Sequence, residues 1–200
     1  LYLLSTTVRI PALQRKTQTD PKTGLYNSEY FGQALESELA RSERYDRPLT
    51  VVMADLDLLR NVNNTYGHLA GDSCLIAVAD LLKTQVGEYD VVARFGGEEF
   101  AILMPETTSD QAEPRVEELR AAIEAARIDV ATSVTPLRVT MSFGIASRDR
   151  FGLTAQDMVH AADLSVYQAK LSGRNRICRH VAGSGESVTA IAPLAANVSA

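Results

Sequence analysis

Cysteine, positive charge and long apolar runs are all scarce in this 200-residue chain. The two cysteines, Cys74 and Cys178, lie far apart and form no metal-ligand spacing, so a reduced, cytosolic setting is expected. Lys and Arg number 20 against 25 Asp and Glu, a net charge of -5 that argues against a general nucleic-acid binder. It leaves room for a nucleotide held through a few placed cations and a metal. No apolar run approaches the ~20 residues of a membrane span. An initial Met is also missing. The expectation is a fragment whose Leu1-Tyr2-Leu3-Leu4 ends an upstream domain or a membrane helix. What remains is an ordinary globular composition, 46% hydrophobic and 22% charged, of a length for one domain plus appendages.

The stretch that organises the rest is Val91 to Met104. Two apolar runs flank Phe95-Gly96-Gly97-Glu98-Glu99, which reads as a β-hairpin with its glycines in the turn. Glycine there permits positive φ and close approach of a ligand to the backbone. Successive strand side chains point to opposite faces, so Glu98 and Glu99 are expected to serve a site differently. Adjacent carboxylates are costly to bury without a cation or donors. A solvated hairpin tip is the competing reading. A second apolar run, Leu49 to Asp57, ends in two acids and fits a buried strand of five or six residues. By period two, Asp55 and Asp57 share a face. Acids at a strand end beside an acidic hairpin suggest a divalent-metal site, since Mg²⁺ takes oxygen ligands. A helix-capping Asp followed by a solvated one is the alternative.

The remaining chain alternates helix and strand signals. Residues 1–19 read as a connector kinked by Pro11, and 20–181 as the folded domain. Asp20 to Asn27 is rich in turn formers. Asn27 or Ser28 caps a helix to about Tyr45, buried through Phe31, Leu35 and Leu39. Leu58 to Tyr66 is a short helix, Gly67 to Asp72 a turn, and Ser73 to about Gln85 a longer helix. Thr108 to about Arg127 is helical, with Pro114 as a kink or the true start. Leu137 to Ala146 alternates as a core strand. Thr154 to Leu171 is a helix with Met158, Ala161, Ala162, Leu164, Ser165 and Tyr167-Gln168 inward. Arg176 to Arg179 is a last edge strand. Residues 182–200, nearly uncharged and rich in Gly, Ser, Ala and Val, read as a flexible tail.

Arg94-Phe95-Gly96-Gly97-Glu98-Glu99-Phe100 resembles the signature of the GGDEF diguanylate cyclases in its GGEEF form. Asp20-Pro21-Lys22-Thr23-Gly24-Leu25-Tyr26-Asn27 is similar to that family's entry motif, with Lys22 where Leu is usual. The longer array Asp55-x-Asp57-x-x-Arg60-x-x-Asn63-Asn64-x-x-Gly67-His68-x-x-Gly71-Asp72 resembles its nucleotide-binding region, and Tyr167-x-Ala169-Lys170-x-x-Gly173-Arg174-Asn175 its phosphate-contact motif.

The resemblance, covering residues 19–180, implies an α/β (α+β) palm-like fold: a central, mainly antiparallel five-stranded sheet surrounded by helices, similar to nucleotidyl cyclase catalytic domains. It implies condensation of two GTP into cyclic di-GMP and two pyrophosphates. Two Mg²⁺ per site, with Mn²⁺ as an alternative, would be held by Asp55, Glu98, the Leu56 carbonyl and Glu99, with Asp55 and Glu98 catalytic. Asn63 and Asp72 would read guanine. Leu58, Leu59, Arg60, Lys170 and Arg174 would hold phosphates, and Gly96 and Gly97 form the turn. Each site takes one GTP, so a homodimer is implied, controlled by an upstream sensory domain. Location would be cytoplasmic, or the cytoplasmic portion of a membrane-anchored protein, with the membrane reached only through the missing N-terminal region. Of the inhibitory product site only Asp90 is present, its Arg position being Gly87, so product inhibition there is not expected. Leu59, Arg60 and Asn64 depart from the usual Phe, Lys and Asp. They keep open a catalytically degenerate GTP-binding regulatory domain. Asp72 favours guanine over a mixed-purine product.

Overall fold

The computed structural model describes residues 18–148, 153–180 and 188–191. Most of the expected N-terminal connector therefore lies outside the described residues. Five helices surround one seven-stranded sheet among these residues. In chain order they are β1 (Tyr26–Asn27), α1 (Ser28–Tyr45), β2 (Leu49–Leu56), α2 (Leu59–Tyr66), α3 (His68–Gln85), β3 (Val91–Arg94), β4 (Glu99–Pro105), α4 (Ser109–Ala125), β5 (Met141–Ser147), α5 (Ala155–Leu171), β6 (Ile177–His180) and β7 (Val188–Ile191).

The sheet order is β1-β3-β4-β2-β5-β6-β7. Its four central strands pair antiparallel. Strands β1 and β6, on either side of these four, join parallel, to β3 and β5. This is the expected α+β architecture, widened by the two-residue strand β1 and by β7. β7 corrects the reading of residues 182–200 as a tail throughout. Val188–Ile191 pairs antiparallel with β6, and β6 is therefore not the edge. A short β-branched stretch finds a free strand edge, which low charge alone does not reveal.

Every residue of β2 is buried. Its alternate side chains serve two cores, as the pleat requires. Val52, Ala54 and Leu56 join Leu75, Val78, Leu82, Val116 and Ile123 from α3 and α4. Val51 and Met53 join Phe31, Leu35, Met158 and Ala162 from α1 and α5. Each large side chain among these contributes about 1.5–3 kcal/mol by leaving water. The α1 stripe and its Asn27 cap are as expected, with Asn27 Oδ1 accepting from Tyr30 N at 2.9 Å. In α5 the buried face is Met158, Ala162, Ser165, Val166 and Ala169, whereas Tyr167 and Gln168 are exposed. Met158, Ala162 and Ser165 match the expected stripe, and towards the C-terminal end the buried face continues through Val166 and Ala169.

Helix α4 begins at Ser109 under a Thr108–Gln111 capping box, and Pro114 is accommodated inside it. Helix α3 starts at His68, earlier than the expected Ser73. Gly67 alone, at φ 87°, makes the break between α2 and α3, so Asp72 lies within α3 and caps nothing. Strand β5 starts at Met141, later than Leu137, which makes only an isolated bridge to Ile128. Among the described residues no helix is long and apolar enough to cross a membrane.

Candidate active site

The acidic end of β2 faces the β3–β4 turn. Asp55 stands opposite Glu99 in the register, and Leu56 N donates to Glu98 O at 3.0 Å. Glu98 lies in the turn rather than on a strand. The pleat rule therefore does not separate the two glutamates, and both feel the Asp55 charge. Gly96 and Gly97 do not take positive φ, contrary to expectation. What requires glycine at 96 is space. A Cβ there would stand 2.2 Å from Glu99 Oε2. At 97 nothing lies within 4 Å, so the turn is open for close approach of a ligand.

Arg94 braces this turn. Its Nη2 donates to Gly97 O at 2.7 Å and its Nη1 to Asp20 Oδ1 at 3.2 Å. The hairpin is thus tied to the entry loop.

Burial pushes the Asp55 carboxyl up, and Lys170, 2.7 Å away, opposes the shift without cancelling it. Glu98 is raised by burial, then by Asp55. Glu99 is raised by burial, then by Asp55 and Asp163. Several carboxylates therefore share one ammonium. Asp163 escaped sequence reading. Its position two turns before Lys170 on α5 is the signal that places both beside the acids.

Asp57 is elsewhere. Thr140 Oγ1, Ser142 Oγ and Asn175 N donate to it at 2.8, 2.7 and 3.0 Å. With three donors it is a structural anchor, although its charge still reaches Asp55 and adds to the rise there. The strand ends at Leu56, so period two no longer applies to residue 57. Asn175 is held on its other side by buried Arg120, whose Nη1 donates to Asn175 Oδ1 at 2.7 Å. Arg120 also grips Glu117 through two bonds of 2.9 and 2.8 Å. This network, absent from the sequence reading, fixes the turn after α5 in which Arg174 is exposed at φ 63°.

Leu58 sits at φ 59° before α2, and no side chain caps that helix. The first N–H groups of a helix suit an anion. Leu59 is buried in the core, while Arg60 and Asn64 are exposed. Asn63 packs on Gly71, where a Cβ would meet Asn63 Oδ1 at 1.9 Å. Asp72 forms an ion pair with Lys22. Asp90 accepts from Gly87 N at 2.8 Å and pairs with Arg115 of α4. Among the described residues, no three His, Cys, Asp or Glu side chains group so as to hold a metal alone.

The family profile described as "Diguanylate cyclase, GGDEF domain" matches residues 17–176. Diguanylate cyclase DgcP of Pseudomonas aeruginosa is 38% identical over 165 residues, 82% of this chain and 24% of that protein. Response regulator PleD of Caulobacter vibrioides is 35% identical over 159 residues, 80% of this chain and 35% of that protein. The chain thus spans 24% and 35% of these curated relatives. Among solved structures, the GGDEF domain of DgcB from Caulobacter crescentus, in complex with c-di-GMP, superposes with a TM-score of 0.78 at 28% identity, covering 82% of this chain and 93% of that one. Diguanylate cyclase SiaD of P. aeruginosa, in complex with its activator SiaC, gives 0.80 at 34% identity, covering 89% and 67%.

Proposed function

This chain belongs to the diguanylate cyclase GGDEF domain family, and on that premise we propose that it condenses two GTP molecules into cyclic di-GMP, releasing two pyrophosphates. The observation that carries this reading is the convergence of Asp55, Glu98 and Glu99 around a single ammonium, that of Lys170. Such a cluster suits a ligand that brings both cations and phosphates.

The donors are all oxygen, which fits a hard divalent ion. Too few side chains converge to hold one alone, which fits an ion that draws remaining ligands from a triphosphate. Asp55, Glu98 and the Leu56 carbonyl would hold two Mg²⁺, with Mn²⁺ as an alternative and Glu99 as a further ligand. A metal held by these residues would supply a lower pKa at the ribose 3′-OH and offset charge on the α-phosphate and leaving group.

The rest falls to this chain's own residues. Lys170 leaves Asp55 for the β- and γ-phosphates, joined by Arg174 and Arg60. The uncapped N–H groups around Leu58 to Arg60 complete that cradle. Glu98 would take the 3′-OH proton. Asn63 and Asp72 read the guanine edge, donating to and accepting from it. Each domain presents one GTP, so two copies meet face to face, consistent with the two-fold symmetry of the product. An upstream sensory domain governs that encounter.

Product inhibition at the usual site is not expected. Asp90 is occupied by Arg115, and Gly87 offers no side chain.

The test is incubation with GTP and Mg²⁺, followed by chromatography, beside Glu98→Ala. Cyclic di-GMP from the wild type and at most a trace from the variant is expected. No dinucleotide at high protein concentration refutes the proposal.

A further inference from the structure

The entry loop carries a lysine to the edge of the proposed nucleotide site. Asp20 Oδ1 accepts from Thr23 N at 2.8 Å and Thr23 Oγ1 at 2.7 Å. Gly24 N donates to Asp20 O at 2.9 Å, and Asp20 N to Leu25 O at 2.8 Å. Arg94 then locks Asp20 to the hairpin turn. From this braced loop Lys22 reaches Asp72 of α3, which lies 50 residues away in sequence. Both side chains remain partly open, at 36% and 37% exposure. An ion pair that exposed adds only about 0–1 kcal/mol to the fold. Fold stability therefore gives little reason for a cation beside a base-reading carboxylate.

The chemistry of the base gives a better one. Guanine presents N1–H and N2–H₂ as donors and O6 as an acceptor. A carboxylate satisfies the donors and repels O6. An ammonium is three donors with no acceptor, and it complements O6. We propose that Lys22 is a guanine-specificity residue: its ammonium, stationed at Asp72, donates to O6 while Asp72 accepts from N1–H and N2–H₂. Adenine offers an amino group at that position, which meets the ammonium donor to donor. The inference rests on the cyclase reading, in which Asp72 faces the base. It adds a residue to that site.

The experiment compares wild type, Lys22→Met and Lys22→Arg with GTP and with 6-thio-GTP. The analogue keeps N1–H and N2–H₂ but replaces O6 by sulfur, a weak acceptor. Affinity is read by thermal-shift titration with Mg²⁺, and turnover by pyrophosphate release. Wild type is expected to favour GTP over the analogue. Lys22→Met is expected to lose about tenfold in GTP affinity, the scale of one charge-assisted hydrogen bond. It should lose much less for 6-thio-GTP, so that discrimination collapses. Lys22→Arg restores part of it, and ligand-free melting temperatures stay together. Unchanged discrimination in Lys22→Met overturns the proposal. So does tighter GTP binding by that variant, which would show the lysine masking Asp72 instead of reading the base. A wild type that neither binds nor turns over GTP would overturn the cyclase reading itself. That result is distinct from a GTP-binding protein in which position 22 is silent.

Discussion

Replacing Lys170 by Met tests whether the acidic cluster depends on one cation. The ion pair is largely buried, with the Asp55 side chain 9% exposed and Lys170 32%. Removing one partner of a fully buried pair costs about 3–5 kcal/mol. The open side of Lys170 lets water screen the change, so about 1–2 kcal/mol is expected here. For a domain of this size that lowers Tm by roughly 2–8 °C. The effect must depend on pH. The Asp55 carboxyl is raised above its ordinary 3.8, chiefly by burial. Its proton is held more tightly in the folded chain than in the unfolded one. Stability is therefore lost as pH rises from 3.8 through the raised value. Lys170 limits that loss, and Met cannot. The gap between variant and wild type should be small near pH 4 and widen towards pH 7, in ligand-free melts across that range. Adding Asp55→Asn to the variant should close the gap at pH 7. An equal loss at both ends of the range would assign the effect to packing of the lysine stem. No loss at pH 7 would mean that the pair does not matter.

Gly144→Ala drives a Cβ to 2.1 Å from Ala162 O and 2.5 Å from Val166 N. Helix α5 must lift from β5, and Tm should fall by roughly 5 °C or more in thermal melts. Gly96→Ala meets only the flexible end of Glu99, at 2.2 Å. It should keep stability within about 0.5 kcal/mol while cyclic di-GMP production, followed by chromatography, falls about tenfold. Asp90→Ala strands the Gly87 N–H and the Arg115 guanidinium. It should cost about 1–3 kcal/mol in a denaturant titration and leave the response of turnover to added cyclic di-GMP unchanged.

The residues that announce the fold also explain what was missed. The Phe31-Leu35-Leu39 stripe and the apolar run of β2 are strong signals; the helix stands where the pattern puts it, and the strand extends to eight residues, beyond the five or six that the run suggests. Asp55, Glu98 and Glu99 were legible because acids bordering apolar runs are rare without a partner. The misses come from contacts that no local pattern encodes. Asp57 looked equivalent to Asp55 until the strand ended one residue earlier and donors from β5 and the turn after α5 claimed it. Arg120 reads as one more charge on a helix, yet it is buried, and its role depends on Asn175, 55 residues later. A Gly-Gly turn suggests conformational freedom. At Gly96 the requirement is room for a neighbouring carboxylate.

The acids sort by what compensates them, and that sorting locates the chemistry. Asp20 has Arg94 and the Thr23 donors, Asp57 has three donors, and Asp90 has Arg115 with a backbone N–H. These carboxylates are satisfied, and each pins one loop to another: entry loop to hairpin, β5 to the turn after α5, β3 to α4. Asp55, Glu98 and Glu99 differ in kind. They share Lys170, and all three are pushed up from their ordinary range. Such an arrangement is unfavourable in the ligand-free fold, and the satisfied acids brace the loops around it. The same under-compensation makes it receptive to positive charge. It follows that stability and receptivity should trade off at these three positions alone. Neutralising Asp55 or Glu98 should steady the ligand-free domain while abolishing its response to metal and nucleotide, whereas neutralising Asp57 should weaken the fold outright.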